Sequence, residues 1–196
     1  KTNMAQLRSQ LSEILKDSVK HHMLSDVEVG AFLSGGVDSG YLASSSGADQ
    51  AFTVGFDEGD RYSEVNKAAK VAEKVGLKHH VKIISKQEFW DALPDVMYHM
   101  DEPLGDAYAV ALYFLSKEAA GHVKVVLSGE GADELFGGYN IYREPEALKK
   151  VAWIPFVLRR TVRNLAAKLP DVKGRDFLIR AGMKVEERFI GNAYIY

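Results

Sequence analysis

Apolar residues recur along the chain with two alternating spacings. From Met4 to His21 they return every three or four positions, which predicts an amphipathic helix with one apolar face. Short apolar runs rich in β-branched and aromatic residues, bounded by glycine or polar residues, predict buried strands. These runs are Val27–Leu33, Ala51–Phe56, His80–Ile84 and Val123–Leu127.

Segments with helical spacing separate the predicted strands. They are Arg61–Gly76, Gln87–Met100 and Ala107–Ala120. Strands alternating with helices predict an α/β fold with a doubly wound, mostly parallel sheet, in which ligands bind beyond the carboxyl ends of the strands. After Tyr142 the strand pattern is absent and the chain is mostly helical. We therefore predict one domain over residues 1–145 and, over 146–196, a helical extension that begins a further subdomain.

Two of the strand ends carry the same polar sequence. In FLSGGVDS (32–39) and VLSGEGADE (126–134) an apolar strand is followed by serine and glycine, then by a second glycine and an acid where a helix begins. Glycines let backbone N–H groups approach an anion closely, and the N-terminus of the next helix is positive. Both turns therefore predict phosphate binding.

Each of these turns also carries carboxylates, which would repel a polyphosphate. Asp38 lies in the first turn, and Glu130, Asp133 and Glu134 lie in the second. Two unit charges ~4 Å apart interact by ~4 kcal/mol at an effective dielectric of about 20. Mg²⁺ removes this conflict, because it binds one or two protein carboxylates together with phosphate oxygens and water. Taken alone, Asp38 fits a helix cap equally well, but the repeated pattern favours a shared anion and metal site.

Other nucleotide and metal motifs do not match. No lysine follows Gly36 or Gly40 as a Walker A loop requires, and Glu134 replaces the last glycine of a dinucleotide-binding fingerprint. The pairs His21–His22 and His79–His80 lack the spacing of a helical zinc motif. We interpret them as a helix end and a loop leading into a strand.

Composition narrows the class of protein further. The 196 residues are 46% hydrophobic and 27% charged, with a formal net charge of -2, so no basic surface for nucleic acid is indicated. No apolar stretch approaches the length of a membrane span. The lack of cysteine excludes thiolate chemistry within these residues and fits a reducing compartment. The start at Lys1 and the apolar end GNAYIY lead us to expect a chain cut at both ends from a longer protein.

The motifs in combination resemble one enzyme family. SGGVDS (34–39) resembles the pyrophosphate-binding loop of the ATP pyrophosphatase superfamily. With LSGEGADELFGGY (127–139), DEP (101–103) and TVGF (53–56), the chain from Met4 to about Pro145 resembles the synthetase domain of glutamine-dependent asparagine synthetase. The resemblance implies an adenine nucleotide alpha hydrolase-like fold of Rossmann-like topology. It also implies ATP and Mg²⁺ as cofactors and a cytoplasmic location.

The resemblance implies roles for the matching residues. Those that would hold the pyrophosphate and its Mg²⁺ are Ser34, Gly35, Gly36, Asp38 and Ser39, with Asp133 as the second metal carboxylate. Those that would contact the rest of the nucleotide are Leu33, Val54, Ser128 and Gly129. Glu130 would help to form β-aspartyl-AMP and to promote its attack by ammonia. Asp101 and Glu102 would lie near the amino-acid substrate.

The implied reaction is ATP-dependent amide formation. The β-carboxylate of aspartate would attack the α-phosphorus of ATP and release pyrophosphate, and ammonia would then displace AMP to give asparagine. The ammonia would come from a glutaminase domain that this chain lacks. Two other functions stay open, a β-lactam synthetase-like enzyme that activates another carboxylate and an ATP-binding fragment without turnover. A homodimer is one alternative for the oligomeric state.

Two departures from the family pattern concern the substrate pocket. Gly40 stands where the family usually has a second serine, and Ala107–Tyr108 stand where proline and serine are frequent. The identity of the carboxylate substrate therefore stays open at this point.

Overall fold

The computed structural model describes residues 3–57, 64–102 and 105–188. The chain forms two compact units, Lys1–Gly131 and Ala132–Tyr196. The domain boundary expected after residue 145 stays a prediction. Within the described ranges no helix combines the length and the apolar character needed to cross a membrane.

The first unit is a four-stranded parallel sheet with helices between the strands. Its elements are α1 (Met4–His22), β1 (Val29–Phe32), α2 (Val37–Ser46), β2 (Gln50–Phe56), α3 (Val65–Val75), β3 (Lys78–Ile84), α4 (Lys86–Met100), α5 (Tyr108–Ala120) and β4 (Val125–Leu127). The strands lie in the order β3-β2-β1-β4, and every neighbouring pair is parallel. The part of the predicted helix at Arg61 that precedes residue 64 lies outside the described residues.

Helices cover both faces of this sheet. Side chains alternate between the faces of a strand, so neighbours such as Ala31 and Phe32 enter different cores. One core joins small residues of β1 and β2 to α2 and α3, with Ala43 and Ala68 almost completely buried. The other surrounds Phe52 and contains Leu115 of α5. The predicted doubly wound α/β fold is confirmed.

Three strands start two residues away from the predicted position, each for a local reason. The strand predicted from Val27 begins at Val29, since Val27 is exposed and its N–H donates to Ser25 Oγ. The strand predicted from Val123 begins at Val125, because Val123 N–H still donates to Ala119 O at the end of α5. The interpretation of His79–His80 as a loop is wrong, because β3 pairs with β2 from Lys78 onward.

The second unit contains helices and no strand among its described residues. They are α6 (Ala132–Phe136), a 3₁₀ turn (Asn140–Arg143), α7 (Glu144–Lys149), α8 (Phe156–Ala166), α9 (Arg175–Ala181) and α10 (Val185–Arg188). The helical character predicted after Tyr142 is confirmed. Helix α6 ends in a glycine cap, where Gly137 has φ 67° and Gly138 N–H donates to Asp133 O at 2.9 Å.

The start of α4 gives the first unit an acid-sensitive contact. Glu88 accepts hydrogen bonds from Lys82 Nζ at 2.6 Å and from Ser85 N–H at 2.8 Å. The hydrogen bond from Lys82, followed by the one from the Ser85 backbone, lowers the pKa of Glu88 from 4.5 to about 2. A lowered carboxyl pKa stabilises the folded state above the unfolded pKa, and this contribution is lost as the pH falls toward the folded value.

We therefore expect Glu88→Gln to reduce the pH dependence of stability between pH 4.5 and about 2. The free energy of unfolding, measured by urea denaturation across this range, should fall less steeply in the variant than in the parent chain. Asp95→Asn, which removes another exposed carboxylate of α4, is the control and should keep the parent slope. Equal slopes for Glu88→Gln and the parent chain would contradict the assignment.

Candidate functional site

The strand order places one crevice at the carboxyl ends of β1 and β4. From β1 the chain continues to β2 and β3 on one side, and it returns to β4 on the other side of β1. In open parallel sheets this change of direction leaves a crevice where ligands bind. The two turns with repeated polar sequence, residues 33–36 and 128–131, begin at this edge.

The turn after β1 is closed by its two serines. Ser34 Oγ and Ser39 Oγ lie 2.9 Å apart in a hydrogen bond, and Ser34 N–H donates to Ser39 Oγ at 3.2 Å. Gly35 has φ 76°, in the left-handed region. A Cβ at Gly35 would lie 2.6 Å from Lys67 Cβ and 2.7 Å from the Ala68 backbone nitrogen. The turn thus needs glycine for its conformation and for its close approach to α3.

Asp38 is exposed in the first turn of α2 and does not cap this helix. The N-cap is Gly36, and it makes no side-chain capping bond. Across residues 3–57, 64–102 and 105–188, no donor is bound to the Asp38 carboxylate. The capping alternative for Asp38 is therefore wrong. Its oxygens are available to a cation, and carboxylate oxygen is the type of ligand that Mg²⁺ prefers.

The turn after β4 lies against the turn after β1. A Cβ at Gly129 would lie 3.0 Å from Ser39 N, 3.3 Å from the Asp38 carbonyl carbon and 3.4 Å from Asp38 Cβ. Only a residue without a side chain fits this contact without a shift of its neighbours. The predicted pairing of the two turns is therefore present in the first unit.

Glu130, the next residue, is held by a tyrosine from α5. Tyr108 Oη donates to Glu130 Oε1 at 2.9 Å, and Glu130 N–H donates to Ser128 Oγ at 3.3 Å. Burial, followed by the hydrogen bond to Glu130, raises the pKa of Tyr108 to about 12. The phenol therefore remains a donor at neutral pH. In the sequence Tyr108 appeared only as a departure from the family pattern, because no local pattern connects it to a residue 22 positions away.

The remaining predicted site residues lie in different surroundings. The Leu33 side chain is 2% exposed and packs in the α2–α3 core, and Val54 packs half-buried near Phe52. Asp101 ends α4 with φ 61°, and Glu102 follows it on the surface. Asp133 belongs to the first turn of α6 in the second unit.

Comparison with known proteins identifies the family. The family model described as asparagine synthase matches residues 10–187. The chain belongs to the asparagine synthase family. It is 44% identical over 200 residues to asparagine synthetase [glutamine-hydrolyzing] 1 of Bacillus subtilis, covering 100% of this chain and 32% of the relative. A putative asparagine synthetase of Mycobacterium tuberculosis is 46% identical over 189 residues, which cover 94% of this chain and 29% of the relative.

The asparagine synthase match extends past Pro145, where the resemblance based on motifs ended. This chain spans about a third of the length of these curated relatives. Among solved structures, an NH3-dependent NAD synthetase from Campylobacter jejuni aligns with a TM-score of 0.44 and 19% identity. That alignment covers 67% of this chain and 60% of the other.

Proposed function

We propose that this chain is the ATP-dependent amide-forming part of an asparagine synthetase. The β-carboxylate of aspartate attacks the α-phosphorus of ATP, which forms β-aspartyl-AMP and releases pyrophosphate. Ammonia then attacks the acyl carbon, and AMP leaves as asparagine is formed. Membership in the asparagine synthase family supports this reaction.

The observation that carries the proposal is the contact between Gly129 and the Asp38–Ser39 backbone. It joins two glycine-containing turns at neighbouring strand ends into one anion-binding surface, with Glu130 directly beside it. The start of α2 adds the positive end of a helix. Such a surface binds the phosphates of ATP, while the acidic groups around it need a cation or a positively charged substrate.

The candidate residues of the first unit have separate roles in this proposal. The turn Ser34–Gly36 with Ser39 binds the pyrophosphate through backbone N–H groups and hydroxyls, while Ser128 and Gly129 contact the nucleotide. Leu33 and Val54 flank the adenosine, the former through its backbone because its side chain is in the core.

Asp38 supplies a carboxylate for Mg²⁺. When bound, Mg²⁺ neutralises the negative charge that gathers on the leaving pyrophosphate. The exposed carboxylate of Asp38, without a protein donor among the described residues, fits this ion. Asp101 and Glu102 face the amino group of aspartate in this proposal, since a carboxylate pairs with an ammonium group.

Glu130 acts as the general base that accepts a proton from ammonium, which gives the neutral ammonia that attacks the acyl carbon. The hydrogen bond from Tyr108 fixes one carboxylate oxygen and leaves the other for the substrate. The ammonia comes from glutamine hydrolysis in a part of the enzyme outside this chain, as the names of the relatives suggest for those proteins.

A chimera tests the proposal under conditions where the missing segments are supplied. This chain replaces the matching 32% of the Bacillus subtilis enzyme, and the product is incubated with Mg-ATP, aspartate and ammonium. We expect AMP, pyrophosphate and asparagine in equal amounts. ADP as the product would contradict the proposal. Pyrophosphate release that needs a different carboxylic acid would assign the site to another carboxylate-activating enzyme.

Tyr108→Phe should lower kcat of the chimera by roughly 10- to 150-fold, because a hydrogen bond to a charged group contributes roughly 1.5–3 kcal/mol. Binding of ATP, measured by calorimetry, should change little, since Tyr108 bonds to the Glu130 side chain and the turn at Ser34–Gly36 is not altered. Tyr113→Phe, on the same helix with its ring against Phe114, is the control and should keep the parent kcat. Equal kcat values for Tyr108→Phe and Tyr113→Phe would show that Tyr108 does not position Glu130.

A further inference from the structure

Two histidines and a glutamate meet in the first unit where α5 ends. His80 comes from the interior of β3, Glu118 from the last turn of α5, and His122 from the residue after the helix cap. One potential ligand atom from each of the three lies within 4.8 Å of the others. The pair His122 Nε2 and Glu118 Oε1 is 3.6 Å apart. Imidazole nitrogen and carboxylate oxygen are the ligands of known His₂Glu zinc sites.

Surrounding polar groups determine which ring nitrogen of His80 carries the proton. Gln50 Nε2 donates to Glu28 Oε1 at 2.6 Å, so the amide oxygen of Gln50 faces His80. His80 Nε2 lies 2.8 Å from this oxygen and must donate to it. The lone pair of the imidazole is then on Nδ1. Histidines that bind metals are oriented in this way by a hydrogen bond through the other ring nitrogen.

The imidazole rings of His80 and His122 lie close together. Their ring centroids are 3.9 Å apart, and His80 also stacks on the buried ring of Phe52 at 5.1 Å. Burial, followed by the neighbouring His122, lowers the pKa of His80. Two adjacent imidazoles next to a carboxylate offer nitrogen and oxygen ligands to a cation.

We propose that His80, Glu118 and His122 form a binding site for Zn²⁺, with water as the fourth ligand. The site lies away from the turn at Glu130, because Tyr108 at the start of α5 contacts Glu130, whereas Glu118 lies ten residues further along the same helix, or roughly 15 Å. Its ligands come from a strand and from a helix end far apart in sequence. The ion therefore links α5 to the sheet and stabilises the folded chain.

Calorimetric titration of the chelator-treated 196-residue chain with Zn²⁺ tests the proposal. We expect one equivalent to bind, and Zn²⁺ at 100 times its Kd should raise the Tm by about 5–10 °C. Mg²⁺ at the same concentration should leave the Tm unchanged without ATP, because Mg²⁺ selects oxygen ligands. Co²⁺ in place of Zn²⁺ should give visible absorption bands of a four-coordinate site.

Single and double variants assign the ligands. His122→Ala changes an exposed side chain, so the fold should remain, while the affinity for Zn²⁺ should fall at least tenfold. His80→Ala with His122→Ala should abolish saturable binding. The matched control is His21→Ala with His22→Ala, an exposed pair at the end of α1 whose Nδ1 atoms bond to backbone carbonyls. A parent chain that binds no Zn²⁺, or a double variant at His80 and His122 that binds it as the parent does, would overturn the proposal.

Discussion

Glu130→Gln is expected to lower kcat of the chimera by ~10²–10⁴, the range that general acid–base groups contribute. Glutamine keeps the size of the side chain and can still accept the hydrogen bond from Tyr108, but it cannot accept a proton from ammonium. The affinity for Mg-ATP should change only a few-fold, because the turn at Ser34–Gly36, the proposed phosphate-binding turn, is unchanged. Steady-state release of pyrophosphate, together with calorimetric binding of ATP, measures both quantities.

The choice of nucleophile distinguishes two possible roles of Glu130, proton acceptance from ammonium and help in forming β-aspartyl-AMP. Hydroxylamine is largely unprotonated at neutral pH, so it should restore part of the lost rate if Glu130 mainly accepts a proton from ammonium. No restoration would place the role of Glu130 in the formation of β-aspartyl-AMP. Glu134→Gln, which changes a carboxylate four residues further along the chain that accepts a hydrogen bond from Tyr139 Oη, is the control and should retain the parent kcat. A Glu130→Gln enzyme within threefold of the parent would contradict the proposed site.

Gly35→Ala is expected to abolish ATP binding and to lower the free energy of unfolding by about 3 kcal/mol. A non-glycine residue in the left-handed region costs roughly 1–2 kcal/mol, and a clash with packed atoms costs roughly 1–3 kcal/mol more. Both apply at Gly35, where φ is 76° and a Cβ would lie 2.6 Å from Lys67 Cβ. Relief of this clash would displace the turn to which we assign pyrophosphate binding.

Gly47→Ala isolates the contribution of the close contact. Gly47 has φ 70° after α2, but a Cβ there would have no heavy atom within 4 Å. This variant should therefore lose only about 1 kcal/mol and should bind ATP as the parent does. Urea denaturation and calorimetry of both variants provide the comparison. Equal losses in the two variants would show that the approach of α3 to Gly35 has no structural importance.

Local patterns in the sequence were sufficient to predict the parallel sheet and the meeting of two glycine-containing turns at its edge. The alternation of side chains along Val29–Phe32 and Gln50–Phe56, with helical spacing between them, predicts strands covered on both faces. The repeat of serine, glycine and acid at two strand ends predicted that these ends would meet. The contact of Gly129 with Ser39 confirms that expectation, because carboxyl ends of parallel strands share one edge.

Contacts between residues far apart in the chain could not be predicted from the sequence. Tyr108 reaches Glu130 across 22 positions, and His80 reaches His122 from another element, so no periodic pattern relates them. The spacing of His79–His80 in the sequence argued against a metal site formed by this pair. In β3 the two side chains point to opposite faces of the sheet, so each has different partners. His79 bonds to buried Thr53, whereas His80 turns toward Glu118. Strand starts were also missed, since the last turn of α5 competes for Val123.

Transfer of oxygen from aspartate to AMP tests the proposed reaction most directly. The chimera is given Mg-ATP, ammonium and aspartate labelled with ¹⁸O in its β-carboxylate, and the products are separated for mass spectrometry. Attack of the carboxylate on the α-phosphorus places one ¹⁸O atom in AMP, with none in the pyrophosphate. Label in orthophosphate beside ADP, or AMP that forms without label, would contradict carboxylate activation at this site.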